Sequence, residues 1–460
     1  MARDLTVLIM AAGHGTRMRS GLAKVLHPVC GRPMVLWVAE AARGAGAGRV
    51  ICVTRPGEGV AERLDGRVEI AEQVDGEGTG SAVLAARDAI EAADAVVILS
   101  GDHPLVAHDT IAGMVETHRR HGAAATVLTT DGIDPAGYGR VVRAEDGSID
   151  RIVETKHAAE VDPGVLAIRE VNVGAYVFAA SDLLAALDKL PLAGGERYLT
   201  AVVPVLAAAG RRVVPHLTHD VLSAHGVNTR VDLMRVEELA RARLLEEHAL
   251  NGVTFASPQT VVVDADVTIG EDTVVGAGVC LHGATSIGER CEVGPHVTAT
   301  DATLGDEVTV SHAVLTDCRV GDRVKIGPFA YLRPGTEIAD GAKIGTYVEI
   351  KNSRIGAGAK VPHLSYVGDA DVGDGANLGA STITANYDGR RKHRTTFGKG
   401  VRTGVHNSFV APVSVGDDAY TGAGSVIRED VPDGALGISS SEQKNVEGYA
   451  RRKKDEKRSE

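Results

Sequence analysis

The sequence predicts two domains of different class: an α/β domain with a mostly parallel sheet, then a parallel β-helix. Three observations predict this. First, an aliphatic residue followed by Gly recurs at spacings that are mostly six, from Ile269-Gly270 and Val275-Gly276 through Ile326-Gly327 and Ile344-Gly345 to Val415-Gly416. Second, apolar runs near the N-terminus alternate with amphipathic stretches. Third, a single long stretch at 228–250, crowded with Arg and Glu, separates the two patterns. An in-phase hexad sustained over roughly 170 residues marks stacked coils. Each hexad supplies a short strand with an aliphatic side chain inward and a turn that Gly negotiates. No coil buries its apolar face alone, so neighbouring coils share one core.

Residues 5–12, LTVLIMAA, form an apolar run without alternation, as in a strand buried on both faces. Gly-rich sequence follows, and Pro33–Gly44 reads as a helix. Further strand-like runs lie at Val50–Val53 and Ala95–Leu99, with helix-like stretches at Ser81–Glu91 and Asp109–His121. Strands alternating with helices specify a mostly parallel sheet. The 228–250 stretch reads as a helical connector, and the repeat runs from near Gly252 to Val431-Pro432. The expected organisation is 1–229, a linker at 230–250, the β-helix at 251–437 and a tail at 438–460. The tail's charge run, ARRKKDEKRSE, reads as solvated or disordered.

Bulk composition agrees with this division. A chain of 460 residues exceeds one ordinary core. Aromatics at 3% and 55 glycines suit a thin solenoid with little room for rings. A net charge of −12 argues against general nucleic-acid binding. Cys30, Cys52, Cys280, Cys291 and Cys318 form no CxxC pair, so free thiols in a reduced compartment are expected. The N-terminus lacks a signal-peptide pattern, and no apolar stretch has the length of a membrane span. These features lead to the expectation of a soluble cytoplasmic protein.

The segment Leu8 to Met18 places a glycine turn directly after a strand. Ala11, Ala12, Gly13 and Gly15 let backbone N–H groups approach phosphate oxygens, and Arg17 and Lys24 add fixed charge. It is neither a P-loop nor a complete GxGxxG fingerprint. The glycines alone fit a phosphate cradle and an ordinary tight turn equally well. Asp102 follows the Ala95–Leu99 strand, where a carboxylate faces the ligand crevice of an open α/β sheet; alone it also fits a helix cap.

LIMAAGHGTRM, with Lys24-Val25-Leu26 and Gly31-Arg32-Pro33-Met34, resembles the signature of the sugar nucleotidyltransferases. Joined to hexapeptide repeats, it resembles one family throughout residues 5–448: the bifunctional N-acetylglucosamine-1-phosphate uridylyltransferase / glucosamine-1-phosphate acetyltransferases. The resemblance implies a Rossmann-like first domain, a left-handed β-helix and a homotrimer. It implies acetyl transfer from acetyl-CoA to glucosamine-1-phosphate, then uridylyl transfer from UTP with release of pyrophosphate, supplying cell-wall precursors. In the first domain it implies uracil recognition by Gln73, Gly78 and Thr79 beside Gly80, and sugar contacts from Gly139, Glu154 and Asn172. Asp102 and Asn228 are implied as ligands of Mg²⁺, which prefers hard oxygen donors.

In the β-helix the resemblance implies phosphate binding by Arg333 and Lys351, and sugar-hydroxyl contacts from Tyr366 and Asn377. His363, in Val361-Pro362-His363-Leu364-Ser365-Tyr366, is implied as the general base, work suited to a pKa near cellular pH. Glu349, about one coil earlier, is expected to stack beside it and orient the imidazole. The repeat breaks between Gly379 and Gly398, where an insertion carries Asn386-Tyr387-Asp388-Gly389-Arg390-Arg391-Lys392. Solenoid insertions become loops on one face, and Asn386 and Tyr387 match active-site positions that the resemblance implies as acetyl-CoA contacts, with Ala380, Val405 and Ala423. The Ala380 N–H is the implied oxyanion donor. Ala423 is the implied support for the pantetheine arm. Two departures stand out. The family's usual Gly-Ser-Asp is Gly404-Val405-His406 here, which removes a hydroxyl that contacts the acyl donor. Ser439-Ser440-Ser441 lacks an Arg found there in some relatives.

Two other readings fit parts of this pattern. One is a nucleotidyltransferase for another substrate with an acetylation-dead β-helix, against which His363, Tyr366, Asn377, Asn386 and Tyr387 speak. The other is a non-catalytic binding subunit, against which the intact Gly13, Gly15, Arg17, Lys24 and Asp102 speak.

Overall fold

The computed structural model describes residues 5–64, 66–155, 161–190, 196–439 and 442–459, with side chains to 454. It divides into two compact units, Met1–Arg243 and Leu244–Glu460.

Among the described residues, nine strands form the sheet of the first unit: β1 Leu5–Met10, β2 Ala47–Thr54, β3 Glu69–Glu72, β4 Ala95–Ser100, β5 Ala125–Thr130, β6 Arg140–Arg143, β7 Ile149–Val153, β8 Val171–Ala179 and β9 Val213–Leu217. The main path runs β9-β5-β8-β4-β1-β2-β3, and only β8 runs antiparallel to its neighbours on it. The hairpin β6–β7 hangs from β8. β1 is apolar throughout because it serves two cores. Val7 and Ile9 pack with Val35, Val38, Ile111 and Met114 on one face. Leu8 packs with Ile98, Phe178, Leu183 and Leu206 on the other. Burying each such side chain stabilises the fold by about 1.5–3 kcal/mol.

The helix expected over Ser81–Glu91 is two short helices, Thr79–Leu84 and Arg87–Glu91, because Ala86 leaves helical geometry. The long helix spans Arg230–Leu250. Asp232 accepts the backbone N–H groups of Asn228 and Thr229, and Thr229 Oγ1 accepts from Asp232 N. This reciprocal cap fixes the residues that precede the helix. Burial pushes the Cys52 thiol up to about 12. All five cysteines are free, as expected.

The second unit is a left-handed parallel β-helix of three sheets. The first face runs from Thr254–Phe255 to Lys360–His363, the second from Val262–Val263 to Val426–Ile427, and the third from Thr268–Ile269 to Val413–Val415. Aliphatic residues from all three form one continuous core, capped toward its end by Phe397 against Phe409.

Several hexad glycines do not serve turns, which corrects the sequence reading in part; Gly294 and Gly327 do hold positive φ. Gly288, Gly305, Gly321, Gly398 and Gly416 have no positive φ. Each sits where a Cβ would come within 2.3–2.4 Å of the next coil's Asp carboxylate: Asp306, Asp322, Asp340, Asp417 and Asp433. The Asp306 and Asp417 carboxylates each accept a backbone N–H from the preceding coil, at Glu289 and Lys399. Close coil stacking therefore demands Gly there. Gly341, Gly358, Gly375 and Gly400 hold positive φ between the third and first faces, whereas most left-handed positions at the other two corners carry side chains. His296, His312, Phe329, Tyr347, Leu364, Ser381 and His406 stand between the first and second faces; Asp301, Asp317, Asn352 and Asp369 stand between the second and third. Asn and Asp accept this conformation more readily than most residues.

Tyr449–Ser459 is helical, and residues 449–454 are exposed. A solvated charge run is compatible with a helix, since its polar side chains need no core. Ser440 and Ser441 lie outside the described residues. No helix among the described residues is long and apolar enough to cross a membrane.

Candidate active sites

In the first unit the carboxyl ends of β1, β2 and β4 open into a cavity of about 290 Å³. Ala11, Ala12, Gly13, Lys24, Gln73, Gly78, Thr79 and Asp102 line it. Gly15 has φ 58°, and a Cβ there would lie 2.6 Å from Lys24 Cβ. Glycine thus serves both the turn and its approach to Lys24.

Asp102 is the centre of this site. Its carboxylate pairs with the Lys24 ammonium and accepts from Ser100 Oγ at 2.6 Å and His103 Nδ1 at 2.8 Å. Burial alone would raise its pKa, but Lys24 and His103 together hold it well below the usual carboxylate range. Asn228 Oδ1 accepts from Arg17 Nη2 at 2.8 Å and from Lys24 Nζ at 3.5 Å. One ammonium therefore sits between the Asp102 and Asn228 oxygens.

Gln73 is buried, and its amide donates to Gly76 O at 2.8 Å. The backbone around residues 77–80 is partly engaged. Gly80 N donates to Arg197 O, and Arg197 N donates to Glu77 O. The segment 196–200 thus packs along the glycines, and Cβ atoms at Gly78 and Gly80 would collide with Arg197. Gly139, Glu154 and Asn172 form a neighbouring group. Asn172 N donates to Gly139 O at 2.9 Å, and Thr200 Oγ1 donates to Glu154 Oε1 at 3.2 Å.

Three features here had no sequence signal. Arg55 Nε donates to Ala12 O at 2.8 Å and Nη2 to Glu77 Oε2 at 2.6 Å, which ties the glycine turn to the far wall. Leu199 N donates to Thr79 Oγ1 at 2.9 Å, and His103 braces Asp102. Each belongs to no motif, and only folding brings it near.

In the second unit most candidates fall into two groups, one at the corner between the first and second faces and one on the second face. His363, Ala380, Val405 and Ala423 occupy one corner in successive coils. Ser381 N donates to His363 O, His406 N to Ala380 O, and Gly424 N to Val405 O. His363, Ala423 and Val405 are exposed. Asn377 lies on the first face, bridged to Lys360 one coil before.

The other group lies toward the far edge of the second face. Arg333 Nη1 donates to Glu349 Oε1 at 2.7 Å. Lys392, in the insertion, pulls the pKa of the neighbouring Lys351 down. Tyr366 lies across the face, its hydroxyl 3.4 Å from Asn386 Nδ2. The insertion is a hairpin bridged at Tyr387 and Lys392. The expected stacking of Glu349 on His363 is corrected. Thr346 is the coil neighbour of His363, whereas Glu349 pairs with Tyr366 on the second face and its carboxylate is held by Arg333. Coil neighbours here are 17 residues apart, whereas Glu349 and His363 are 14 apart, so the two stand on different faces. A groove of about 600 Å³ on the third face beside Arg319, Glu337 and Arg354 holds none of the candidate residues.

The MobA-like NTP transferase domain model matches residues 7–212, and the bacterial transferase hexapeptide model matches 317–352. The chain is 46% identical over 464 residues to bifunctional protein GlmU of Mycolicibacterium vanbaalenii, covering 98% of this chain and 94% of that one. It is 46% identical to the GlmU of Mycobacterium tuberculosis, covering 98% and 93%, and 45% identical to that of Mycolicibacterium gilvum, covering 98% and 92%. Similarity this high across nearly the whole of both chains, with both domain models matched in the expected halves, means that the chain belongs to the GlmU family of bifunctional uridylyl- and acetyltransferases.

Proposed function

We propose that the two sites use the residues described above in the following roles. The enzyme acetylates glucosamine-1-phosphate from acetyl-CoA and then couples the product to UTP with loss of pyrophosphate. The observation that carries the role assignment is the convergence of the glycine turn, Lys24, Gln73, Gly78, Thr79 and Asp102 on one cavity. The sugar phosphate is itself an anionic nucleophile toward the α-phosphorus of UTP, so no general base is required. Arg17 and Lys24 neutralise the triphosphate and the leaving pyrophosphate, and the turn positions them. Gln73, Gly78 and Thr79 read the uracil edge, and Gly139, Glu154 and Asn172 hold the sugar. Asp102 and Asn228 supply two hard oxygens around a cationic position, which fits Mg²⁺; when bound it would neutralise phosphate charge.

In the β-helix, Arg333, Lys351 and Lys392 supply cationic charge for the sugar phosphate. His363 takes the proton of the attacking amine, and the Ala380 N–H faces the developing oxyanion. Asn377 and Tyr366 contact hydroxyls, and the Val405–Ala423 corner carries the acyl donor. Asn386 and Tyr387 close the site from the hairpin. The acyl corner and the cationic group lie at opposite edges of one face. A homotrimer that sets one chain's corner against its neighbour's cationic edge would join them.

Two assays test the assignment. Pyrophosphate release from UTP with N-acetylglucosamine-1-phosphate and CoA release with glucosamine-1-phosphate should both be positive. Pyrophosphate release alone would leave an acetylation-dead β-helix, and neither activity would reduce both domains to binding modules.

A further inference from the structure

Asn386 enters the acetyl-transfer site from the start of the hairpin and is 8% exposed. Its Nδ2 donates to Asp369 Oδ2 at 2.5 Å and to the Tyr366 hydroxyl at 3.4 Å. Asp369 is also buried. Its second oxygen, Oδ1, accepts from Asn352 Nδ2 at 2.6 Å. An ionised carboxylate can only accept hydrogen bonds, whereas an amide offers a donor side and an acceptor side. Both oxygens of Asp369 are thus met by amide nitrogens, and Asn386 is held one way round. Its nitrogen faces inward. Its Oδ1 receives no hydrogen bond from any described residue.

We infer that Asp369 fixes Asn386 as an acceptor toward the substrate, so that the pocket selects an amino sugar whose amine or adjacent hydroxyl donates to Asn386 Oδ1. This rests on the reading of the pocket as the acetyl-transfer site. The amino sugar is favoured over the acyl donor by position. Asn386 lies beside Tyr366 and toward the cationic edge of the second face, away from the corner of His363, Ala380, Val405 and Ala423. A buried polar group that selects a donor discriminates strongly, because the wrong partner leaves it unpaired. Asp369 is thus a positioning residue, acting through Asn386. Gly368 keeps the arrangement tight, since a Cβ there would lie 2.4 Å from the Tyr366 hydroxyl and 2.8 Å from Asn386 Nδ2.

Asp369→Asn is the decisive variant. Asn accepts the left-handed backbone at this corner, where φ is 50°. Its Oδ1 keeps the bond from Asn352, which leaves its NH₂ facing Asn386. Asn386 must then turn over and present its nitrogen to the substrate. The full-length variant should melt at the wild-type temperature. Its KM for glucosamine-1-phosphate should rise roughly tenfold or more, while the acetyl-CoA KM and uridylyl transfer hold steady. A simple structural role predicts no such split, since the buried hydrogen bonds survive. The exchange Asp369→Asn with Asn386→Asp restores an outward acceptor and should bring the sugar KM back to within a few-fold of wild type. Wild-type kcat/KM in a folded Asp369→Asn variant would overturn the inference. A rise confined to the acetyl-CoA KM would overturn the choice of the amino sugar. Should the single variant fail to fold, a folded exchange variant whose sugar KM stays high overturns it equally. Absence of CoA release from the wild-type enzyme would strike at the acetyl-transfer reading instead.

Discussion

In the α/β unit, Arg17 reaches Asn228 across 211 residues of chain and Lys24 reaches Asp102 across 78. In the β-helix, Asn352 meets Asp369 across 17 residues and Arg333 meets Glu349 across 16. The first site exists only when the whole domain is folded, because its parts are joined by distant closures. The second is a sum of coil-to-coil contacts, so a defect in one coil is felt mainly by its neighbours. Two reactions on one chain therefore rest on two kinds of cooperativity.

The sharpest way to break this comparison is to disable one site at a time. Asp102→Asn should lower kcat for uridylyl transfer by about 100-fold or more and leave acetyl transfer intact. His363→Ala should do the reverse, by about 100-fold or more. Loss of both activities in either variant would contradict independent sites. A smaller effect separates the glycine columns. Gly305→Ala forces a Cβ to within 2.3 Å of Asp322 Oδ1 and should cost about 1–3 kcal/mol of β-helix stability by chemical denaturation. Gly358→Asn, in open space at φ 65°, should cost less than about 1 kcal/mol. Equal losses would show that backbone conformation governs both columns.

Arg55→Met removes the tie between Ala12 and Glu77. The UTP KM should rise about three- to tenfold with a smaller change in kcat. The mildest expected change is Val405→Ser. It restores a hydroxyl on an exposed corner and should lower the acetyl-CoA KM by no more than about fivefold. An unchanged Michaelis constant would show that this hydroxyl is dispensable here.

Legibility in the sequence follows the same divide. Hexad phase translates directly into spatial adjacency, so the β-helix, its insertion and its core aliphatics are readable residue by residue. Glu349 and His363, 14 residues apart, fall short of the 17-residue coil that pairs Thr346 with His363, and so do not stack. The stacking role of glycines such as Gly305 and Gly321 is not legible, because steric pressure from the next coil leaves no local trace. In the α/β unit, β1 and the glycine turn were legible as local patterns. Arg55, His103 and the 196–200 segment were not, because their importance lies in contacts across the sheet. Asp369 escaped notice for a related reason: a lone Asp after Val-Gly looks like any corner residue until its two amide neighbours are seen.

The hairpin at the break in the repeat has one more consequence. Ala370 pairs with Thr395, and Tyr366 with Ile383, so the chain leaves and rejoins the stack in register on both sides of the excursion. Such a detour behaves as an exchangeable cassette. A graft of different length or chemistry could retune which acceptor the enzyme modifies while the scaffold above and below stays unaltered.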